Sequence, residues 1–281
     1  MSEVARSGLM NMEVWRMPKS DSDAPRENLR YSSKEILHYF SQHRRCWNDF
    51  YPSERWIFER LAGPSNQMGR VLDVGCATGG LGRALSERFA IMEYVGVDIN
   101  RQVIEAAQQD HTHPVASRRF IQGDILEVED LGDNGFDAVF SLSCADWNVR
   151  TYDIIQTCWQ YVKAGGHFVL TLRLTPEASL TDFAKSFQYI FAGDRLPDNV
   201  EGLEKAAYVV LNVWEVFRVL ADLKPRASKI TAYGYWGKPS ATAVTPFDRL
   251  AFTSLSIRKG EKTDHEKDLG CELHLPLDLL C

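Results

Sequence analysis

The chain has 281 residues, 44% of them hydrophobic and 25% charged, enough for one large α/β domain with a substantial core. A formal charge of −6, from 32 basic and 38 acidic residues, argues against a broad nucleic-acid surface. Six cysteines with no C-x-x-C pair, no apolar leader-like start and no uninterrupted apolar run of membrane length predict a reduced, cytoplasmic protein without structural zinc, metal site or membrane span.

Residues 1–28 mix charge, serine and proline with little periodicity and read as a flexible segment. Residues 29–66 carry apolar residues at helical intervals, broken near Pro52, and predict cap helices. Trp47, Phe50, Tyr51 and Trp56 crowd this section, either packing those helices or forming a lid; His38, His43, Arg44 and Arg45 lie there too. Val71, Leu72 and Val74 then make a strand that runs through Asp73 into a turn holding Gly75 and Gly79, and helical periodicity resumes at Leu81. The glycines here are spaced G-x-x-x-G-G-x-G and do not fit the dinucleotide pattern G-x-G-x-x-G, which disfavours NAD. A second strand ends in Asp98-Ile99, where a carboxylate accepts hydrogen bonds from both hydroxyls of a ribose.

A third apolar run ends at Gly123-Asp124-Ile125, a fourth at Ser141 and the following Ser143-Cys144-Ala145-Asp146-Trp147, and a fifth runs from His167 to Arg173. His167 sits at the edge opposite the ligand and reads as a satisfied strand-end histidine. Strands alternating with helices predict a parallel sheet with ligands at the carboxyl ends of its strands. Residues 176–226 read as a helical insertion whose aromatics (Phe187, Tyr189, Phe191, Tyr208, Trp214, Phe217) line a pocket or fasten the helices to the sheet. Two further strands follow at ASKITAYGYWG and RLAFTSLSIRK, the first with Tyr233, Tyr235 and Trp236 near its end. The tail, 261–281, is expected to dock its leucines on the body of the domain.

Asp73-Val74-Gly75-Cys76-Ala77-Thr78-Gly79 resembles motif I of the class I S-adenosylmethionine-dependent methyltransferases, with Ala77 at the middle glycine site. The resemblance covers about residues 30–260. It implies a domain at 29–260 with a Rossmann-like, seven-stranded, mostly parallel sheet, an antiparallel last strand, helices on both faces and a helical insertion between strands 5 and 6. It also implies S-adenosyl-L-methionine as cofactor, held by Asp73, Gly75, Cys76, Gly79, Asp98, Ile99, Asp124, Ile125 and Ser141. Asp124 is expected near the adenine amino group and Ile125 beside the ring; for Arg44 and Arg45 a solvated helix face is the simpler reading, with the methionine carboxylate as the alternative.

The partner expected is a small-molecule acceptor, methylated on oxygen or nitrogen by in-line displacement, with oxygen slightly preferred. Asp146 is the leading catalytic candidate, as a base or as a group that orients the acceptor; its alternative reading is an N-cap before the helix at Tyr152. Trp147, Arg173 and Tyr235 are the substrate-binding candidates, with Arg173 reading equally as a cation for an anionic acceptor or as the partner of a structural carboxylate. A non-catalytic cofactor-binding partner or regulatory subunit stays open as an alternative, as does a homodimer. Aminopropyl transfer, a third reading, lacks a dense acid cluster near the fourth strand.

Overall fold

The computed structural model describes residues 44–61, 66–129, 131–132, 134–191, 196–261 and 268–281. Strands β1 (Gln67–Val74), β2 (Ala90–Asp98), β3 (Arg118–Gln122), β4 (Phe136–Ser141) and β5 (Val162–Thr175) lie parallel to one another. β9 (Ala227–Gly237) and β11 (Leu250–Lys259) complete the expected seven, β11 running antiparallel to both β5 and β9. Two more strands join them: β8 (Leu211–Asn212) pairs with β5, and β12 (Gly270–His274), from the tail, adds a parallel edge to β9. The order is β12-β9-β11-β5-β4-β1-β2-β3 with β8 beside β5 off this path, so among the described residues nine strands stand where seven were expected.

The helices that cover the sheet are α1 (Pro52–Phe58), α2 (Gly80–Ser86), α3 (Arg101–Gln109), α4 (Thr151–Tyr161) and α5 (Val213–Ala221). The two-residue period of β1 divides its side chains between two cores. Val71 packs with Phe58, Tyr94, Ala107 and Phe140, whereas Leu72 and Val74 pack with Val139, Ile155, Trp159 and Phe168. Each such fully buried side chain contributes about 1.5–3 kcal/mol. This sandwiching of a parallel sheet fixes where its strand ends emerge.

Two expected regions differ. The described part of 176–226, expected to be helical, holds one helix, α5, and otherwise short strands and loops. Its Asn212 N-cap accepts bonds from the amides of Trp214 and Glu215. Upstream, β6 (Phe187–Tyr189) pairs with β7 (Lys205–Ala207) and with β10 (Ala243–Val244) in a separate three-stranded sheet. The run Ala206–Leu211 is buried at every position, so pairing and burial override its helical propensity. Part of the loop at 194–197 lies outside the described residues. Of the cap at 29–66, the described residues form a 3₁₀ turn (Trp47–Asp49) and the seven-residue α1; His38 and His43 lie outside them. Among the described residues, no helix is long and apolar enough to cross a membrane.

Candidate functional site

The carboxyl ends of β1, β2 and β4 open on one cavity and those of β4, β5 and β9 on another, and the two meet at Arg44, Ser143 and Trp147. The second is the roomier, about 1820 Å³ against about 1120 Å³. The first is built from the turn after β1. Gly75 and Cys76 donate their amides to the Val97 carbonyl at 2.8 and 3.1 Å, which ties the end of β1 to the end of β2. Gly75 has φ +79°, and a Cβ there would stand 2.7 Å from Cys144 Sγ, so only glycine lets the two loops meet.

Asp98 is buried with its carboxylate held in place. Oδ2 accepts the Ala77 amide at 3.0 Å, and Oδ1 accepts the amide and the side-chain nitrogen of Asn100 at 2.8 and 3.1 Å. Burial raises its pKa, and those donors pull it back. Asp73 accepts a bond from the Tyr94 hydroxyl; burial pushes it up to about 7 against the pull of that hydroxyl and of Arg44. Asp73, Gly75, Cys76, Asp98, Ile99, Asp124 and Ile125 all line this first cavity.

Two expected cofactor residues do not. Ser141, the last residue of β4, is wholly buried behind the wall, because the strand's alternation turns it inward one residue before the chain opens out. Gly79 faces away; His113 Nε2 donates to its carbonyl at 3.1 Å, and a Cβ would meet the Phe120 ring at 2.8 Å. It stands at the N-cap of α2 with φ +80°, a left-handed backbone that glycine adopts without strain. Burial pushes the thiols of Cys76 and Cys144 up, so neither is poised as a thiolate.

The second cavity contains Asp146, Trp147, Arg173 and Tyr235 in its wall. Asp146 sits in a 3₁₀ turn (Ala145–Trp147), while the N-cap of α4 is Arg150, so the capping alternative fails. Arg173 Nε lies 3.4 Å from Asp146 Oδ2, and Arg173 Nη1 donates to the Asp146 carbonyl at 2.8 Å. Its guanidinium lies 3.8 Å over the Tyr208 ring. These contacts engage Arg173 with the protein itself, so of its two expected readings the pairing with a carboxylate of the chain is the one observed. Asp146 Oδ1 is buried and has no partner, and burial raises the carboxyl's pKa while Arg173 lowers it.

Sequence reasoning did not single out Glu54, Asn100 or Ser143. Glu54 accepts a bond from Arg44 at 2.7 Å, and the same guanidinium reaches Ser143 Oγ at 2.9 Å. Asn100 had a local signal, standing two residues past a strand-end acid and just before α3; Glu54 had none. Trp47 and Phe50 are core residues, whereas Tyr51 is exposed and reaches the second cavity. Among the described residues, the non-glycine positions with positive φ are Arg44, Asn66, Ala77 and Ser143, and three of these line the cavities. Strain of this kind gathers where a site over-determines the backbone.

Residues 72–170 match a family model described as a methyltransferase domain. Over that stretch the chain is similar to methyltransferase domains. It is 30% identical over 102 residues to a fatty-acid O-methyltransferase of Mycolicibacterium smegmatis, which is 36% of each chain. It is 29% identical over 161 residues to a ubiquinone biosynthesis O-methyltransferase of Idiomarina loihiensis, covering 53% of this chain and 63% of that one. The alignments with these two curated relatives thus span about one third to two thirds of their length. In fold it is similar to Phospholethanolamine N-methyltransferase 2 of Haemonchus contortus, solved with phosphomonomethylethanolamine and S-adenosylhomocysteine. That match has a TM-score of 0.50 at 15% identity and covers 74% of this chain and 52% of the other.

Proposed function

We propose that the chain binds S-adenosyl-L-methionine in the first cavity and transfers its methyl group to an oxygen of a small molecule held in the second. The observation that carries this reading is the junction of the cavities. Asp98 stands in one, Asp146 with an unpartnered carboxylate oxygen in the other, and Trp147 lines both.

The donor set fits the cofactor. Asp98, fixed by Ala77 and Asn100, takes the ribose hydroxyls; Asp124 and Ile125 take the adenine edge and face; and Gly75 lets backbone approach without a Cβ. Arg44 Nε is buried without a partner, a donor that the methionine carboxylate would satisfy. The bound cofactor supplies a methyl group on a positively charged sulfur that leaves readily. The protein therefore has to align the acceptor, exclude water and remove one proton.

Asp146 is placed for the last task. Its Oδ1 takes the proton of an acceptor hydroxyl, while Arg173 holds the carboxyl group from the other side. The raised pKa suits it better than an exposed aspartate to that exchange. Oxygen is favoured over nitrogen because a neutral amine needs no such base.

Calorimetric titration with S-adenosylmethionine and S-adenosylhomocysteine tests the cofactor assignment. Micromolar binding is expected, weakened at least roughly tenfold in Asp98→Ala, a change of about 1.4 kcal/mol or more. Failure of both ligands to bind the unaltered protein would overturn the reading.

A further inference from the structure

We propose that the second cavity selects a neutral, hydroxylated ring that donates a hydrogen bond to Asp146 Oδ1, and rejects carboxylate, phosphate and ammonium acceptors. The inference rests on the methyl-transfer reading only for calling this cavity the acceptor site. Its argument is a charge and hydrogen-bond account of the wall.

Arg173, buried, and Arg44, part-buried, are both already matched. Arg173 has Asp146 as its counter-ion and gives Nη1 to the carbonyls of Asp146 and Val209 at 2.8 and 3.4 Å, its face occupied by Tyr208. Arg44 is paired with Glu54 at 2.7 Å, and its spare Nε proton is the one assigned above to the cofactor carboxylate. The remaining charged lining groups, Lys238 and Asp49, are exposed and of opposite sign. Among the described residues, an entering anion would find Arg173 and Arg44 already matched and would confront the bare oxygen of Asp146, a cost that burial makes large. An entering ammonium would add a second positive charge beside a carboxylate that Arg173 already neutralises. What the wall lacks is a single hydrogen-bond donor at Asp146 Oδ1, and a neutral hydroxyl supplies it.

The rest of the lining says what carries that hydroxyl. Tyr189, Phe191, Tyr235 and Phe252 offer ring faces and edges, with Gln188 and Thr242 among them as polar groups. Aromatic walls interleaved with hydrogen-bonding side chains suit a flat ring with polar substituents better than an extended apolar chain. A phenolic ring and a sugar ring share this chemistry.

The test is calorimetric titration of the full chain at neutral pH with catechol, methyl glucoside, benzoate, phenyl phosphate and benzylamine, each with and without S-adenosylhomocysteine. Catechol or methyl glucoside should bind at least tenfold more tightly than the three charged probes, and the stronger of the two identifies the kind of ring. Asp146→Ala should weaken that probe at least tenfold and, by freeing Arg173, strengthen benzoate. Tyr235→Leu, which leaves the buried pair intact, should weaken the neutral probe severalfold and serves if Asp146→Ala does not fold.

Tighter binding of any charged probe overturns the proposal. So does failure of both neutral probes to bind, or neutral-probe affinity unchanged in a folded Asp146→Ala or, where that variant is unfolded, in Tyr235→Leu. The S-adenosylhomocysteine titration reads the other cavity. Ring binding by a protein that binds neither S-adenosylhomocysteine nor S-adenosylmethionine would sink the methyl-transfer reading and leave this selectivity standing, and the converse would sink the selectivity alone.

Discussion

Ala77 holds a left-handed backbone, φ 47°, in the wall of the first cavity, where a side chain costs roughly 1 kcal/mol that glycine does not. Ala77→Gly should therefore raise stability by up to about 1 kcal/mol, or about 2–4 °C in a thermal melt of a domain this size. His167 presents a second test at the same scale. Burial, with Arg258 and Lys229 nearby, lowers its pKa to about 4, and Ser256 Oγ lies 3.0 Å from its Nδ1. The folded state keeps it neutral, so as pH falls from about 6.5 to about 4 the unfolded chain takes the proton first and stability is lost. Asp73 acts in the opposite sense: its raised pKa gives stability that is present in acid and lost as pH rises from about 4 to about 7. Urea titrations at pH 7 and pH 4.5 should show His167→Gln gaining relative to the unaltered chain at the lower pH. Asp98, Asp124 and Gly75 were legible in the sequence because each stands at a strand end marked by its neighbours. The Arg44–Glu54 pair was not, since its residues stand ten positions apart across the turn at Trp47–Asp49, a spacing that no helix or strand period encodes.

At the scale of elements, Lys259 closes β11 against the junction of α4 and β5. Its ammonium donates to the carbonyls of Trp159 and Val162 at 2.7 and 2.6 Å and lies 5.0 Å from the Trp159 ring. Lys259→Met would keep the stem and strand both carbonyls, at a cost of about 2–4 kcal/mol read from a urea midpoint. The alternating strands β1 to β5 were readable because burial on both faces demands continuous apolar runs. The insertion misled for the same reason. A buried run such as Ala206–Leu211 has the same apolar character whether it becomes strand or helix, and its pairing with distant residues decided the matter.

Across the whole molecule, the tail becomes part of the sheet. β12 pairs with β9, Leu279 is fully buried, and Asp278 accepts bonds from Trp236 Nε1 at 2.8 Å and Arg249 at 2.9 Å. Expected docking of the leucines holds for Leu279, while Leu277 stays exposed. Leu279→Ala should cost about 2–5 kcal/mol, with an unchanged denaturant slope if only packing is lost.

The sequence by itself determined the strand-helix alternation, the strand-end acids and the glycine turn, because each arises from neighbours along the chain. Tertiary structure alone decided which oxygen of Asp146 stays unpartnered, that Arg173 attends to Asp146, and that Ser141 and Gly79 turn away from the cavity. Those outcomes depend on alternation phase and on contacts between remote segments, and such contacts exist only once the sheet has closed around its two cores.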